Sequence, residues 1–301
     1  HEWLIGLMEG VEDIPGSALA EGIQWDWESF PEYLDAIERM PRAVDVATQV
    51  PHGAVRAYVM GERGARNEKP TADDIERMAE LVREGLAAGA LGFSTSRTLL
   101  HRAVDGEPVP GTFAGEEELT AFAKMAARRG RLFTSHLKAY SWASGVYSHD
   151  PKEDPHNLAA IREILRVARA ADVRLQISHL IFVGRNTWPN HGAALRLVED
   201  AHRDGLDVAF DAFPYTAGNT TCAVIFPAAL LPKLEEVLRD PEQLAGLARF
   251  AEMAFGAVGF GLPDIQLMHC DVPEWNHLDG LRIPEAAERV GALVIDLADN
   301  P

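Results

Sequence analysis

Cysteine is nearly absent. The 301 residues hold two, Cys222 and Cys270, far apart and in no CxxC pair. That excludes a disulfide framework and a cysteine-rich zinc module, and it suits a reducing compartment, for which the cytoplasm is the expectation. Positive charge is also scarce: 28 Lys and Arg stand against 46 Asp and Glu, for a net charge of −18. A phosphate backbone or an anionic membrane needs a basic footprint, so neither nucleic acid nor a membrane is expected as a partner. No apolar run is long enough to span a bilayer, and no signal-peptide pattern opens the sequence. A GxSxG elbow, a Walker loop and a GxGxxG after a strand are missing too. Serine-hydrolase, nucleotide and dinucleotide readings therefore lack support.

What remains is 47% hydrophobic, enough at this length for a large core in one α/β barrel or two smaller domains. Residues 1–22 read as mostly loop with one helical turn. Ser29 caps a helix to Arg39, with Pro31 in its first turn. Residues 44–50 read as a strand and 57–60 as a short second one. Thr71 caps a helix through Ala88, and Ala90 to Ser94 reads as the next strand. A helix over 116–129 leads into the strand RLFTSH (131–136), and a helix over 157–171 into VRLQISHLIF (173–182). A helix over 191–204 and a strand over 206–213 follow. This βαβ rhythm implies a parallel sheet. The fold class is α/β, a partial (β/α)8 barrel with an inserted α+β segment. The expected divisions are 1–213 for an incomplete barrel portion, 214–283 for a strand-exit loop and insertion, and 284–301 for the return to the barrel. The insertion reads as helices over 232–239 and 243–255 and a strand over 265–270. Further helical patterns start at Pro284 and Ala292. The excursion 137–155, rich in aromatics, reads as a lid or substrate loop.

Two of the strands end in Ser-His. Successive parallel strands carrying His136 and His179 at their carboxyl ends place both imidazoles on one rim, where barrels do their chemistry. Neutral imidazole is a common zinc ligand, and these two are candidates for one metal; the alternative is that each hydrogen-bonds locally and orients a loop. The next strand runs into DAFPYTAGNTT, whose Tyr215, Asn219 and Thr220 supply hydrogen-bonding groups. Asp211 suits a supporting acceptor behind a ligand, and Tyr215 either a loop or a ligand role. His52 and Arg56, near an early strand end, read either as support behind a ligand or as a plain surface pair, and more as structure than as chemistry. His101, His149, His156, His191, His202, His269 and His277 lack partners at metal spacing and read as solvent or capping histidines.

Four segments come in family order: GALGFSTSR (89–97), SHLK (135–138), QISHL (176–180) and DAFPYTAGNTT (211–221). On them the chain resembles the D-aminoacylases, the N-acyl-D-amino-acid deacylases of the amidohydrolase superfamily, over most of its length. The resemblance implies a (β/α)8 enzyme using one or two zinc ions to hydrolyse the amide of small N-acyl-D-amino acids. It makes His136 and His179 zinc ligands from the fifth and sixth strands. Lys138, Tyr215, Asn219 and Thr220 become substrate-binding residues, with Tyr215 holding the substrate carboxylate or polarising the scissile carbonyl.

Other family features have no counterpart here: the HxH pair of the first strand, the metal-bridging cysteine and the late Asp that serves as general base. The resemblance puts them before His1 and beyond Pro301, so the sequence reads as an internal fragment, inactive alone. Cys222 and Cys270 do not fill the cysteine role. Lys138 stands where many members carry Arg, and Ile181 where many carry Lys, which exchanges a bidentate fork for a point charge and removes a cation. That loss leaves a cyclic-amide amidohydrolase of the hydantoinase or dihydropyrimidinase kind as the alternative enzyme. A non-catalytic, barrel-derived binding protein is the alternative outside catalysis.

Overall fold

The computed structural model describes residues 2–12, 14–103, 105–145, 147, 154–219, 226–227, 230, 233–268 and 273–291. Helices α1 (Glu2–Glu12) and α2 (Gly16–Gly22) occupy the stretch that reads as loop. Leu7 buries one side of α1, and Gly16 lets α2 close on Ile5 and Glu9. Helix α3 (Phe30–Arg39) starts with a capping box: Ser29 Oγ accepts from the Glu32 N–H, and Glu32 Oε2 accepts from the Ser29 N–H.

Two strand assignments of this region need correction. Over 44–50 the pairing is confined to β1 (Val50–Pro51), because Val44 and Val46 point to solvent and Val50 is the residue opposite Phe93. Residues 57–60 belong to helix α4 (His52–Met60), which is followed by α5 (Glu62–Ala65). The buried positions of α4 are His52, Val55, Arg56 and Met60, one helical face, so tertiary burial overrides the β-prone run AYVM.

From here strands and helices alternate. Helix α6 (Ala72–Ala88) is capped by Thr71 and ends at Gly89, whose φ of +126° suits glycine. Strand β2 (Gly92–Thr95), helix α7 (Glu116–Ala127), strand β3 (Leu132–His136) and helix α8 (His156–Ala171) follow. Next come β4 (Arg174–Ser178), α9 (His191–Arg203) and β5 (Val208–Phe210). The strands form one parallel sheet in the order β1-β2-β3-β4-β5. By the right-handed rule for parallel crossovers, an unbroken strand order puts the helices between successive strands on one face, as in a barrel wall; a doubly wound sheet reverses its order partway. Phe93, Phe133, Leu175 and Ile177 point to the helix side and are fully buried against residues such as Met78, Leu86, Phe122 and Ile164. Phe133 stacks on Phe93 at 5.8 Å between ring centroids. Each such ring contributes roughly 2 to 3 kcal/mol by burial.

Past β5, helices α10 (Leu234–Arg239) and α11 (Pro241–Val258) lie where the sequence places them, α11 capped by Asp240 and ended at Gly259. The strand expected over 265–270 is reduced to one antiparallel bridge, Gln266 with Arg282, and its last two residues are outside the described ones. This segment docks on the loop after β4. Arg185 forms a forked ion pair with Asp264, Asn186 Nδ2 donates to Ala257 O at 3.1 Å, and Gly184 leaves no room for a Cβ beneath Val258 O. Helix α12 (Ile283–Arg289) matches the pattern from Pro284, while that from Ala292 lies outside the described residues. Among the described residues no helix is long and apolar enough to cross a membrane.

Candidate functional site

Alternation along β3 sends Phe133 and Ser135 to the helices and leaves Leu132, Thr134 and His136 on the opposite face. The register sets His136 beside Ser178, the last residue of β4. The strand then stops, because His179 takes φ = +52°, a left-handed conformation uncommon outside glycine. That kink turns its imidazole toward the neighbouring strand end, and the His136 and His179 rings lie 5.1 Å apart between centroids.

Asp211, just past β5, holds the kink in place. Its Oδ1 accepts from the His179 backbone N–H at 2.7 Å and from ring Nδ1 at 3.0 Å, and its Oδ2 accepts from Gln176 Nε2 at 2.9 Å. Burial pushes the Asp211 carboxyl upward, but these donors outweigh it and hold the group below the ordinary range. A carboxylate can only accept, so Nδ1 of a neutral His179 carries the proton and Nε2 keeps its lone pair. His136 has no hydrogen-bond partner for either ring nitrogen among the described residues. Burial and the nearby imidazoles of His101 and His179 bring its pKa down to about 4, so the ring is neutral at pH 7. Two imidazoles on adjacent strand ends are a donor set that suits zinc. Among the described residues no three His, Cys, Asp or Glu are arranged to hold a metal ion.

Tyr140 ties the two strand ends together. Its hydroxyl accepts from the Leu137 N–H at 3.0 Å and donates to Ser178 O at 3.1 Å, and burial raises its pKa. The residues on either side of the histidine pair are thus bridged by one phenol. The sequence places Tyr140 only within a lid or substrate loop. Its signal was a tyrosine four residues after a strand-end histidine, which is too common a pattern to single out.

Lys138 lies on the other side of the β3 exit. Its Nζ is 3.9 Å from Glu163 Oε2 and 4.7 Å from the centre of the Tyr147 ring. Glu163 also accepts from Arg97 Nη1 and from Tyr147 Oη at 2.6 Å. Burial pushes Glu163 up, while Arg97 and these hydrogen bonds bring its pKa below the ordinary value. The network joins Arg97 past β2, Glu163 of α8, and Lys138 and Tyr147 past β3.

Several candidates stand elsewhere. Tyr215 is 74% exposed and Asn219 is exposed, while Thr220, Cys222, His149, His269 and Cys270 lie outside the described residues. His52 and Arg56 are no surface pair: they are buried with Glu118 beside the carboxyl ends of β1 and β2, His52 Nδ1 facing Thr95 Oγ1 at 2.9 Å. His156 takes the Ser144 N–H on Nδ1 at 2.7 Å, and His191 Nδ1 faces Trp188 O at 2.8 Å, both local roles. His101 is a correction. It reads as a solvent or capping histidine, yet it packs edge-on against His136 at 4.8 Å between centroids. Its place is set by the loop after β2, whose course no local pattern announces.

The sequence pattern of the amidohydrolase family matches residues 1–258. The D-aminoacylase of Alcaligenes xylosoxydans xylosoxydans is 31% identical over 206 residues, 68% of this chain and 37% of that protein. The N-acyl-D-glutamate deacylase of the same organism is 30% identical over 253 residues, 83% of this chain and 46% of that one. Among solved structures, the N-acyl-D-glutamate deacylase of Bordetella bronchiseptica, complexed with zinc and a phosphonate inhibitor, superposes with a TM-score of 0.58. It is 25% identical, over 88% of this chain and 43% of that one. The chain thus spans less than half the length of the relatives it matches.

Proposed function

The chain belongs to the amidohydrolase family, and from that premise we propose that the whole protein hydrolyses the amide bond of N-acyl-D-amino acids with zinc as its cofactor. The observation that carries this reading is the pair His136 and His179, imidazoles brought to 5.1 Å on adjacent strand ends. The similarity to proteins named D-aminoacylase and N-acyl-D-glutamate deacylase supports the substrate class. A zinc-bound relative supports the cofactor. No observation favours the cyclic-amide alternative or the non-catalytic binder.

His136 and His179 are the residues that would hold the metal. When bound, zinc supplies a Lewis-acid charge that polarises the amide carbonyl and acidifies water. Asp211 fixes the His179 tautomer and ring plane, as the outer partner of a liganding histidine does. Tyr140 sets the spacing of the two strand ends. Lys138 is half-buried beside Glu163, and its ammonium would attract the carboxylate of an N-acyl amino acid. Tyr215 and Asn219, past β5, carry hydrogen-bonding groups that would meet the substrate, as would Thr220, which lies outside the described residues.

The test is metal analysis and N-acyl-D-amino-acid hydrolysis by the full-length protein, beside its His179→Ala variant. The expected result is bound zinc and activity in the parent, with both lost in the variant. A parent without zinc, and a variant as active as the parent, would end the reading.

A further inference from the structure

Imidazoles that bind a metal are ordinarily oriented by a carboxylate, carbonyl or water on the ring nitrogen facing away from it. His179 has such a partner in Asp211; His136 has none among the described residues. A ring without that hydrogen bond turns freely in a broad torsional well, and fixing it on metal binding costs entropy. Yet the His136 ring is enclosed. The His101 ring meets it at 4.8 Å and 68°, and the His179 ring at 5.1 Å and 65°, both edge-to-face.

His101 is firmly held. Its Nδ1 is 2.7 Å from Ser96 Oγ, and its carbonyl accepts from the Val109 N–H at 3.1 Å. The next residue, Arg102, bridges to Pro108 and donates from Nε to Leu99 O at 2.6 Å. Asn67 fastens the far side of the same loop, donating to Pro108 O at 2.9 Å and accepting from the Gly111 N–H at 2.8 Å. A ring anchored in this way is a rigid wall for its neighbour.

We propose that His101 is a positioning residue for His136, its ring packing taking the place of the missing hydrogen bond and fixing the imidazole plane that a metal would meet. Edge-to-face packing restrains rotation about the Cβ–Cγ bond as a hydrogen bond does, through contact with the ring face. His101 acts by shape, so another flat ring should serve and a small side chain should not. The inference rests on the metal-binding role proposed for His136.

The test measures zinc affinity of the full-length protein by competition with a chromophoric chelator. The visible spectrum of the cobalt-loaded form is recorded beside it. Three variants are compared: His101→Ala, His101→Phe and Ser96→Ala. His101→Ala should weaken zinc binding by about tenfold or more, the usual effect of losing an outer partner of a ligand. His101→Phe keeps a ring and discards both nitrogens, and it should bind within about threefold of the parent with an unchanged cobalt spectrum. Ser96→Ala frees the ring from its anchor and should weaken binding by a factor of roughly 2 to 10. Parent-like affinity in His101→Ala, or equal weakening in His101→Phe and His101→Ala, overturns the proposal. Should His101→Ala fail to fold, His101→Phe and Ser96→Ala decide: tenfold weakening in the first, or none in the second, overturns it. A parent that binds no zinc ends the proposed function and this inference together. A zinc-binding parent with indifferent His101 variants ends this inference alone.

Discussion

One oxygen of Asp211 accepts two hydrogen bonds from His179, from the backbone N–H at 2.7 Å and from ring Nδ1 at 3.0 Å. The first stabilises a positive φ that a histidine otherwise resists; the second chooses the tautomer. Asp211→Asn keeps the size of the side chain and exchanges a charged acceptor for an amide. The expected outcome is a loss of roughly 10- to 100-fold in metal affinity or activity, with little change in thermal midpoint. Zinc titration beside a melting curve checks it. A large fall in stability with unchanged affinity would make Asp211 a structural residue alone.

Glu118 is the only carboxylate among the described residues in contact with the buried pair His52 and Arg56. Its Oε1 lies 2.9 Å from His52 Nε2 and accepts from Arg56 Nη1, and all three side chains are at least 95% buried. Burial pushes His52 down, so its ring is neutral and Arg56 is the charge that Glu118 balances. Glu118→Ala would strand that guanidinium in the core at a cost of about 3 to 5 kcal/mol. Urea unfolding should show the midpoint fall with the slope unchanged. Glu118→Gln, which keeps a hydrogen-bond acceptor, should cost less.

The histidine pair was legible because both members follow β-prone runs, each preceded by a helix of clear 3.6-residue period. Asp211 was legible as a supporting acceptor because it follows the next strand in that series. His101 and Tyr140 were not, since they come from long loops whose paths depend on distant contacts, such as those of Asn67 with Pro108 and Gly111. Helix α4 is hidden for a related reason: AYVM is β-prone locally, and only the burial of Arg56 and Met60 on one face reveals the helix. Strand β1 is shorter than its sequence suggests because Val44 and Val46 look like core residues and face water. Periodicity reports what a segment could bury, and the sheet edge decides how much of it finds a partner.

The start of α6 gives a prediction in pH. Asp74 accepts from the Thr71 backbone N–H at 2.9 Å, from Thr71 Oγ1 at 2.9 Å and from Arg63 Nη2 at 2.8 Å. The Thr71 backbone bond and the Arg63 guanidinium bring its pKa from 3.8 down to about 2. A carboxyl whose pKa is lower in the folded state stabilises that state above pH 3.8 and ceases to do so as pH falls through about 2. Asp74→Ala should therefore cost stability at neutral pH, about 1 kcal/mol as for other lost caps, and nothing once the parent's own carboxyl is protonated. Melting curves of parent and variant should converge as the buffer goes from pH 5 to about 2. Parallel curves would mean that the carboxylate charge contributes nothing.

Lys138 offers the sharpest separation between binding and structure. At 3.9 Å from Glu163 its ammonium is within ion-pair range and beyond hydrogen-bond range, so its three N–H donors have no acceptor among the described residues. Glu163 does not need it, because Arg97 already balances that carboxylate and Tyr147 donates to it. Lys138→Met keeps the aliphatic stem against the Tyr147 ring and removes the charge. Stability should change by less than about 1 kcal/mol, the usual worth of a long ion pair. If Lys138 holds the substrate carboxylate, KM for an N-acyl-D-amino acid should rise by about tenfold or more with kcat little changed, since that contact is equal in ground and transition states. An amide analogue lacking the carboxylate should bind equally to parent and variant. A variant with parent-like KM for the acid would move the carboxylate site away from Lys138, leaving the residue as a spacer between Glu163 and the 137–147 loop.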